Sequence, residues 1–186
     1  NPDVTTIMFG AVSAQEDRKG FAELIQAFLH CQKHPQFRQQ IDDGKLKILC
    51  VGHTSDLINI LGIPALSWGY VDSDETISQL YSASDLFILP SLEDNLPNTM
   101  LEAMSCGTPV LAFNVGGIPD FVKPGETGWL VPVRDTVALA KALLTCIFDA
   151  DERERLGERC RQKIASECSL ETQAKKYVEL FQDLLE

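Results

Sequence analysis

The sequence predicts an α/β chain: a doubly wound, parallel, six-stranded sheet with helices on both faces and extra helices at the C-terminal end. Three observations carry this. Short apolar runs such as Leu86–Leu89 (LFIL) alternate with stretches whose apolar positions repeat at helical spacing, a pattern of parallel strands joined by helices. These runs lack polar alternate positions, which suits strands covered on both faces. Several end in glycine or enter polar loops, and in a parallel sheet such loops share the carboxyl edge, where ligands bind.

The elements follow in order. Residues 5–10 (TTIMFG) form the first strand, and the loop AVSAQEDRKG leads to a helix with Phe21, Leu24, Ile25 and Phe28 on one face. Leu46–Gly52 (LKILCVG) is the second strand, followed by a short helix from Thr54 or Ser55. Ala65–Gly69 (ALSWG) is the third, and Asp74–Ser82 a helix with Ile77, Leu80 and Tyr81 on one face. Leu86–Leu89 is the fourth strand. After its polar loop Pro97 opens a helix, because its ring presets φ and its missing N–H would be unpaired there. Leu101, Met104 and Met100 give that helix an apolar side, and Gly107 stops it. Residues 109–113 are the fifth strand, Gly116-Gly117 a turn, and Gly128–Val131 (GWLV) a short sixth strand. The rest is helical. Asp135 caps a helix with the stripe Ala140, Leu143, Leu144 and Ile147; Asp151 and Glu154 have capping-box spacing for the next. Ser169 opens the last, with Ala174, Tyr177, Val178, Phe181 and Leu184 inward. No repeat or linker divides the chain, so residues 1–186 read as a single domain.

An apolar content of 45% over 186 residues is enough for a sizeable core. A net charge of −11 argues against nucleic acid or an anionic membrane surface as the main partner. The 6 cysteines include no C-x-x-C pair and several occupy apolar positions, which predicts buried free thiols in a reducing compartment rather than a disulfide or zinc framework. There is no signal peptide and no apolar run long enough to span a bilayer. The chain starts Asn1-Pro2-Asp3 without methionine, so a fragment of a longer protein is expected.

Four clusters would meet at the carboxyl edge. Gly10 allows close backbone approach, while Arg18 and Lys19 place two cations just before a helix, which suits a diphosphate; a solvated basic pair is the plainer reading. Asp94, Asn95, Asn98 and Thr99 line a loop running into a helix start, able to hold an anion or sugar hydroxyls, or merely polar as loops are. Glu102 sits about one and a half turns into its helix, too far in for a cap; a carboxylate there can accept from the vicinal hydroxyls of a ribose or simply face solvent. Gly116-Gly117 can turn the chain beneath a ligand or only from strand to helix. His53 follows a strand end and is a further cleft candidate. Walker A, G-x-G-x-x-G, G-x-S-x-G and H-E-x-x-H patterns are missing.

The stretch PSLEDNLPNTMLEAMSCGTPVLAFNVGGIPDFVKPGETGWLV resembles the nucleotide-sugar-binding half of the group-one retaining glycosyltransferases. FGAVSAQEDRKGF and VDSDETISQLYSASDLFILPS resemble the same family's surrounding segments in the same order. The resemblance covers nearly the whole chain. It implies one Rossmann-like half of a GT-B fold, the C-terminal donor-binding domain, with the N-terminal acceptor-binding domain absent. Family members carry two acidic residues separated by seven others. Glu102 inherits the second position, which holds the donor ribose. Asp94 inherits the first, beside the transferred sugar, with a side chain one methylene shorter than the usual glutamate. Where the family commonly has Gly-Phe-Gly, this chain has Asn95-Leu96-Pro97, and Pro97 removes a backbone donor. A family arginine after the first strand is replaced by Ala11. Lys19 matches the family lysine and Arg18 beside it supplies further charge to stabilise the leaving diphosphate.

The implied partner is thus a nucleoside diphosphate sugar, with no metal required. The implied function is sugar transfer with retention to a polysaccharide, lipid-linked or other glycan. The excised domain is expected to bind nucleotide weakly and not to turn over. A cytoplasmic location is expected, with membrane contact only through the missing half. The last helix of such enzymes crosses back to the first domain, so apolar surface is expected on it. Tyr70 and Val71 are expected beside the base. An epimerase of the same architecture and a non-catalytic nucleotide-binding module remain as alternatives.

Overall fold

The computed structural model describes residues 3–11, 17–52 and 61–185. Its elements are β1 (Thr5–Ala11), a 3-10 turn (Asp17–Lys19), α1 (Phe21–Cys31), α2 (Pro35–Asp42), β2 (Leu46–Gly52), β3 (Ala65–Gly69), α3 (Asp74–Ser82), β4 (Leu86–Leu89), α4 (Asn98–Ser105), β5 (Val110–Phe113), α5 (Ile118–Phe121), β6 (Gly128–Val131), α6 (Thr136–Phe148), α7 (Ala150–Glu167) and α8 (Leu170–Asp183). The six strands form one parallel sheet in the order β3-β2-β1-β4-β5-β6. The order reverses between β1 and β4, so a crevice is expected at their carboxyl ends.

Side-chain alternation along the strands divides the core into two layers. Ile7, Phe9, Ile48, Leu86, Ile88, Leu111 and Phe113 face α1, α2 and α6, which contribute Phe21, Leu24, Phe28, Phe37, Leu139 and Leu143. Met8, Leu49, Phe87, Leu89, Val110 and Ala112 face α3, α4, α5 and α7, which contribute Leu80, Tyr81, Met100, Met104, Ile118 and Cys160. All six strand assignments agree with the sequence reading, with ends shifted by a residue at β1 and β5. None of the six cysteines is in a disulfide, and four of them are buried.

Several expectations change. The segment after α1 folds into α2, opened by Pro35 and anchored by the fully buried Phe37; a single anchor in an otherwise polar run gives no visible stripe. Helix α4 begins at Asn98 with Pro97 one place outside, extended at ψ 121. Helix α7 is capped by Asp149, whose side chain accepts from the Glu152 N–H at 3.0 Å; the Asp151–Glu154 pair expected as a capping box lies inside the helix, Asp151 already in its first turn. Asp135 and Ser169 cap α6 and α8 as read from the sequence. The apolar face of α8, expected to point inward, does not: Tyr177, Val178, Phe181 and Leu184 are all exposed, Phe181 by 59%, because no other described element packs over them. The helix expected from Thr54 or Ser55, and His53, lie outside the described residues. No helix among the described residues is long and apolar enough to cross a membrane.

Candidate functional site

The carboxyl ends of β1, β2 and β4 open into a cleft of roughly 200 Å³. Its floor is apolar, from Met8, Val51 and Phe87 with the backbone of Gly10 and Gly52. Tyr70 and Val71 line it after β3, and Thr99 and Glu102 bring polar groups from α4. Lys19, Arg18, Asp94, Asn95 and Asn98 are not among the cleft's lining residues.

Two loops are bolted together beside this cleft. The segment through Lys19 docks on the loop after β4: the Leu92 N–H donates to the Arg18 carbonyl at 2.7 Å, and a Cβ on Gly20 would lie 1.8 Å from the Pro90 carbonyl oxygen. Gly20 has φ 67, a left-handed conformation that costs other residues strain. Across this seam Lys19 Nζ lies 3.2 Å from Asp94 Oδ2, with side chains 26% and 17% exposed. The loop after β5 braces Asp94 from behind. The Gly117 N–H donates to the Asn95 carbonyl at 2.6 Å, and a Cβ on Gly116 would lie 1.8 Å from the Asp94 carbonyl oxygen. The glycine pair therefore turns against the acidic loop and is not part of the cleft lining.

Glu102 is exposed on α4 but not free. The Tyr81 hydroxyl of α3 donates to its Oε2 at 3.1 Å. Tyr81 is 2% exposed, packs edge-on to Phe87 with ring centroids 5.4 Å apart, and its carbonyl accepts from Thr108 Oγ1 at 2.7 Å. Burial first, and then the Glu102 carboxylate, push its phenol well above the ordinary tyrosine value, so it stays a donor. Pro97 gives α4 no side-chain cap, which leaves first-turn N–H groups without that partner. Arg18, Asn95, Asn98 and Thr99 are exposed.

Sequence reasoning missed Tyr81 as a polar participant, because at helical spacing it reads as core. It also missed the apolar floor, since Met8, Val51 and Phe87 are ordinary strand residues until β1 and β4 part around them. The Lys19–Asp94 pair joins residues 75 apart in sequence, and only the fold reveals it. Among the described residues no group of three or more His, Cys, Asp or Glu could hold a metal ion.

Comparison with known proteins places this geometry in context. The family model described as Glycosyl transferases group 1 matches residues 4–149. N-acetyl-alpha-D-glucosaminyl L-malate synthase from Bacillus anthracis is 30% identical over 116 residues, 62% of this chain and 30% of that protein. The solved structure of sucrose-phosphate synthase from Thermosynechococcus elongatus superposes with a TM-score of 0.78 at 28% identity, covering 100% of this chain and 46% of that one. HepE from Anabaena, solved in complex with UDP, has the same fold at 22% identity and a TM-score of 0.77, covering 97% of this chain and 49% of that one. The chain spans less than half the length of the curated relatives it matches.

Proposed function

Because the chain belongs to the group 1 glycosyltransferases, of GT-B type, we propose that it forms the donor-binding half of an enzyme that transfers a sugar from a nucleoside diphosphate sugar with retention of configuration. The observation that carries this is the cleft itself. It opens at the reversal point of the sheet, reaches Glu102 on one side, and stands beside the loop that holds Asp94 against Lys19.

In this reading the ribose hydroxyls donate to Glu102, whose carboxylate can take both. The base lies toward Tyr70 and Val71. The diphosphate draws Lys19 away from Asp94, with Arg18 and the N-terminal turn of α4 adding positive potential. As the glycosidic bond breaks, negative charge grows on the leaving diphosphate, and Lys19 is worth more in that transition state than in the ground state. Asp94, released, stands by the transferred sugar, with Asn95, Asn98 and Thr99 as hydroxyl partners. The close approach of the backbone at Gly10 leaves room for the phosphates. These side chains need no metal. The acceptor site and full turnover belong to a further domain, which the length of the relatives supports. Two of the proteins named above are synthases, which disfavours the epimerase reading.

The test is calorimetric titration with a panel of nucleoside diphosphates and their sugars without added metal, UDP first because HepE holds it. Binding of one base, strengthened by one sugar and lost in Glu102→Ala, is the expected result. Unchanged binding in Glu102→Ala would refute the assignment.

A further inference from the structure

We propose that Tyr81 is a positioning residue that gives the donor site its preference for ribose over deoxyribose, by holding the Glu102 carboxylate in a fixed plane through its hydroxyl. The inference rests on the reading of Glu102 as the ribose acceptor.

The geometry behind it is specific. Glu102 is an exposed helix residue, and an exposed glutamate has considerable rotamer freedom that a ligand would have to remove on binding. Here Oε2 already accepts from a hydroxyl whose own position is fixed three ways: by burial of the ring to 2% exposure, by edge-on packing against Phe87, and by the Thr108 hydroxyl on the same residue's carbonyl. The Tyr81 ring also lines the cleft. A carboxylate has lone pairs for about four hydrogen bonds. Tyr81 takes one on Oε2 and leaves Oε1, with the remaining lone pair of Oε2, for a pair of adjacent hydroxyls. Two hydroxyls donating to one carboxylate demand a defined plane, whereas one hydroxyl tolerates rotation. Removing the Tyr81 hydroxyl therefore costs a ribonucleotide more than a deoxynucleotide. A purely structural tyrosine would affect both alike.

The experiment takes the full-length chain and the tightest binder among UDP, GDP and ADP, together with its 2′-deoxy and 3′-deoxy counterparts. Affinities are measured for the wild type and for Tyr81→Phe, Thr108→Val and Glu102→Gln. Tyr81→Phe keeps the ring and its packing. It is expected to weaken ribonucleotide binding about tenfold, the scale of one hydrogen bond to a charged group, while deoxynucleotide binding changes by less than about threefold, so the preference collapses. Thr108→Val loosens the other end of the same residue but keeps the hydroxyl. It is expected to lower the melting temperature and leave the ratio of affinities intact. If Tyr81→Phe keeps the wild-type ratio while Glu102→Gln loses it, the role of Tyr81 is overturned and that of Glu102 stands. If Thr108→Val collapses the ratio as Tyr81→Phe does, packing and not the hydroxyl is responsible, and the proposal fails. If Glu102→Gln binds and discriminates as the wild type does, the ribose reading itself falls.

Discussion

Replacing Gly20 by alanine tests whether the two loops of the site act as one rigid unit. The backbone there has φ 67, which costs a residue with a Cβ roughly 1–2 kcal/mol. A second effect is steric. A Cβ would lie 1.8 Å from the Pro90 carbonyl oxygen and must retreat to at least 3.0 Å, a shift of about 1.2 Å. A shift of that size breaks the 2.7 Å bond from the Leu92 N–H to the Arg18 carbonyl, for roughly another 1 kcal/mol, and opens the Lys19–Asp94 pair from 3.2 Å beyond ion-pair range. Gly44 is the control: φ is 68, yet nothing among the described residues lies within 4 Å of a Cβ there. For a chain of this size each kcal/mol moves the melting temperature by about 2–4 °C. Gly44→Ala should therefore melt a few degrees low, and Gly20→Ala about 2–4 °C lower again. Calorimetry should add an approximately tenfold loss of nucleoside diphosphate affinity in Gly20→Ala alone, one charge-assisted contact. Equal melting of the two variants, with equal affinity, would refute the idea that the seam at Gly20 positions Lys19.

Other outcomes follow from the same geometry. Gly116→Ala, with φ 52 and a Cβ 1.8 Å from the Asp94 carbonyl oxygen, should displace the acidic loop and lower sugar-dependent affinity more than affinity for the bare nucleotide, read by paired titrations. Asp94→Asn frees Lys19 from a partly exposed pair, so stability should change by less than about 1 kcal/mol. Nucleotide binding should hold or tighten and transfer by the complete enzyme should be lost; weakened nucleotide binding would contradict the exchange of partners proposed for Lys19. Titrations in EDTA should give the same affinities as those without it, and chelator-sensitive binding would count against a metal-free site. Burial raises the Cys31 and Cys160 thiols from 9.0 to about 12. The unfolded chain therefore sheds these protons first, so the stability they confer is complete below pH 9 and drains away between about 9 and 12. Melting curves in that window should show an alkaline decline that is reduced in Cys160→Ala.

Much of this was legible in the residues. LKILCVG and LFILP announce strands because nothing polar interrupts them, and Asp135 and Ser169 announce helix starts because their side chains can satisfy only an open turn. Asp149 was hidden by its neighbours: in DADERE two acids stand three places ahead of a glutamate, and spacing alone cannot choose between them. Helix α2 was hidden because Phe37 alone anchors it. In the candidate site, Glu102 is singled out only by its surroundings, and Lys19 only by its place before Gly20. That Lys19 touches Asp94, and that Tyr81 holds Glu102, are facts of tertiary packing. No local rule brings residues 75 or 21 positions apart together.

The ladder between β1 and β4 pairs only Ile7 with Leu86 and Met8 with Phe87, while β1 continues beside β2 as far as Ala11. The sheet comes apart like a half-closed zip, and the cleft is the open part. A cavity made this way is not carved by trimming core side chains, so the core packs at full density beneath it. Such a socket can be inherited while its contents are rewritten. Changes at Tyr70, Val71 or Thr99 alter what is held without repacking the floor, whereas changes at Met8 or Phe87 are felt through the layer packed under α3, α4, α5 and α7. Across descendants of one ancestor, variation should gather on the rim and spare the floor.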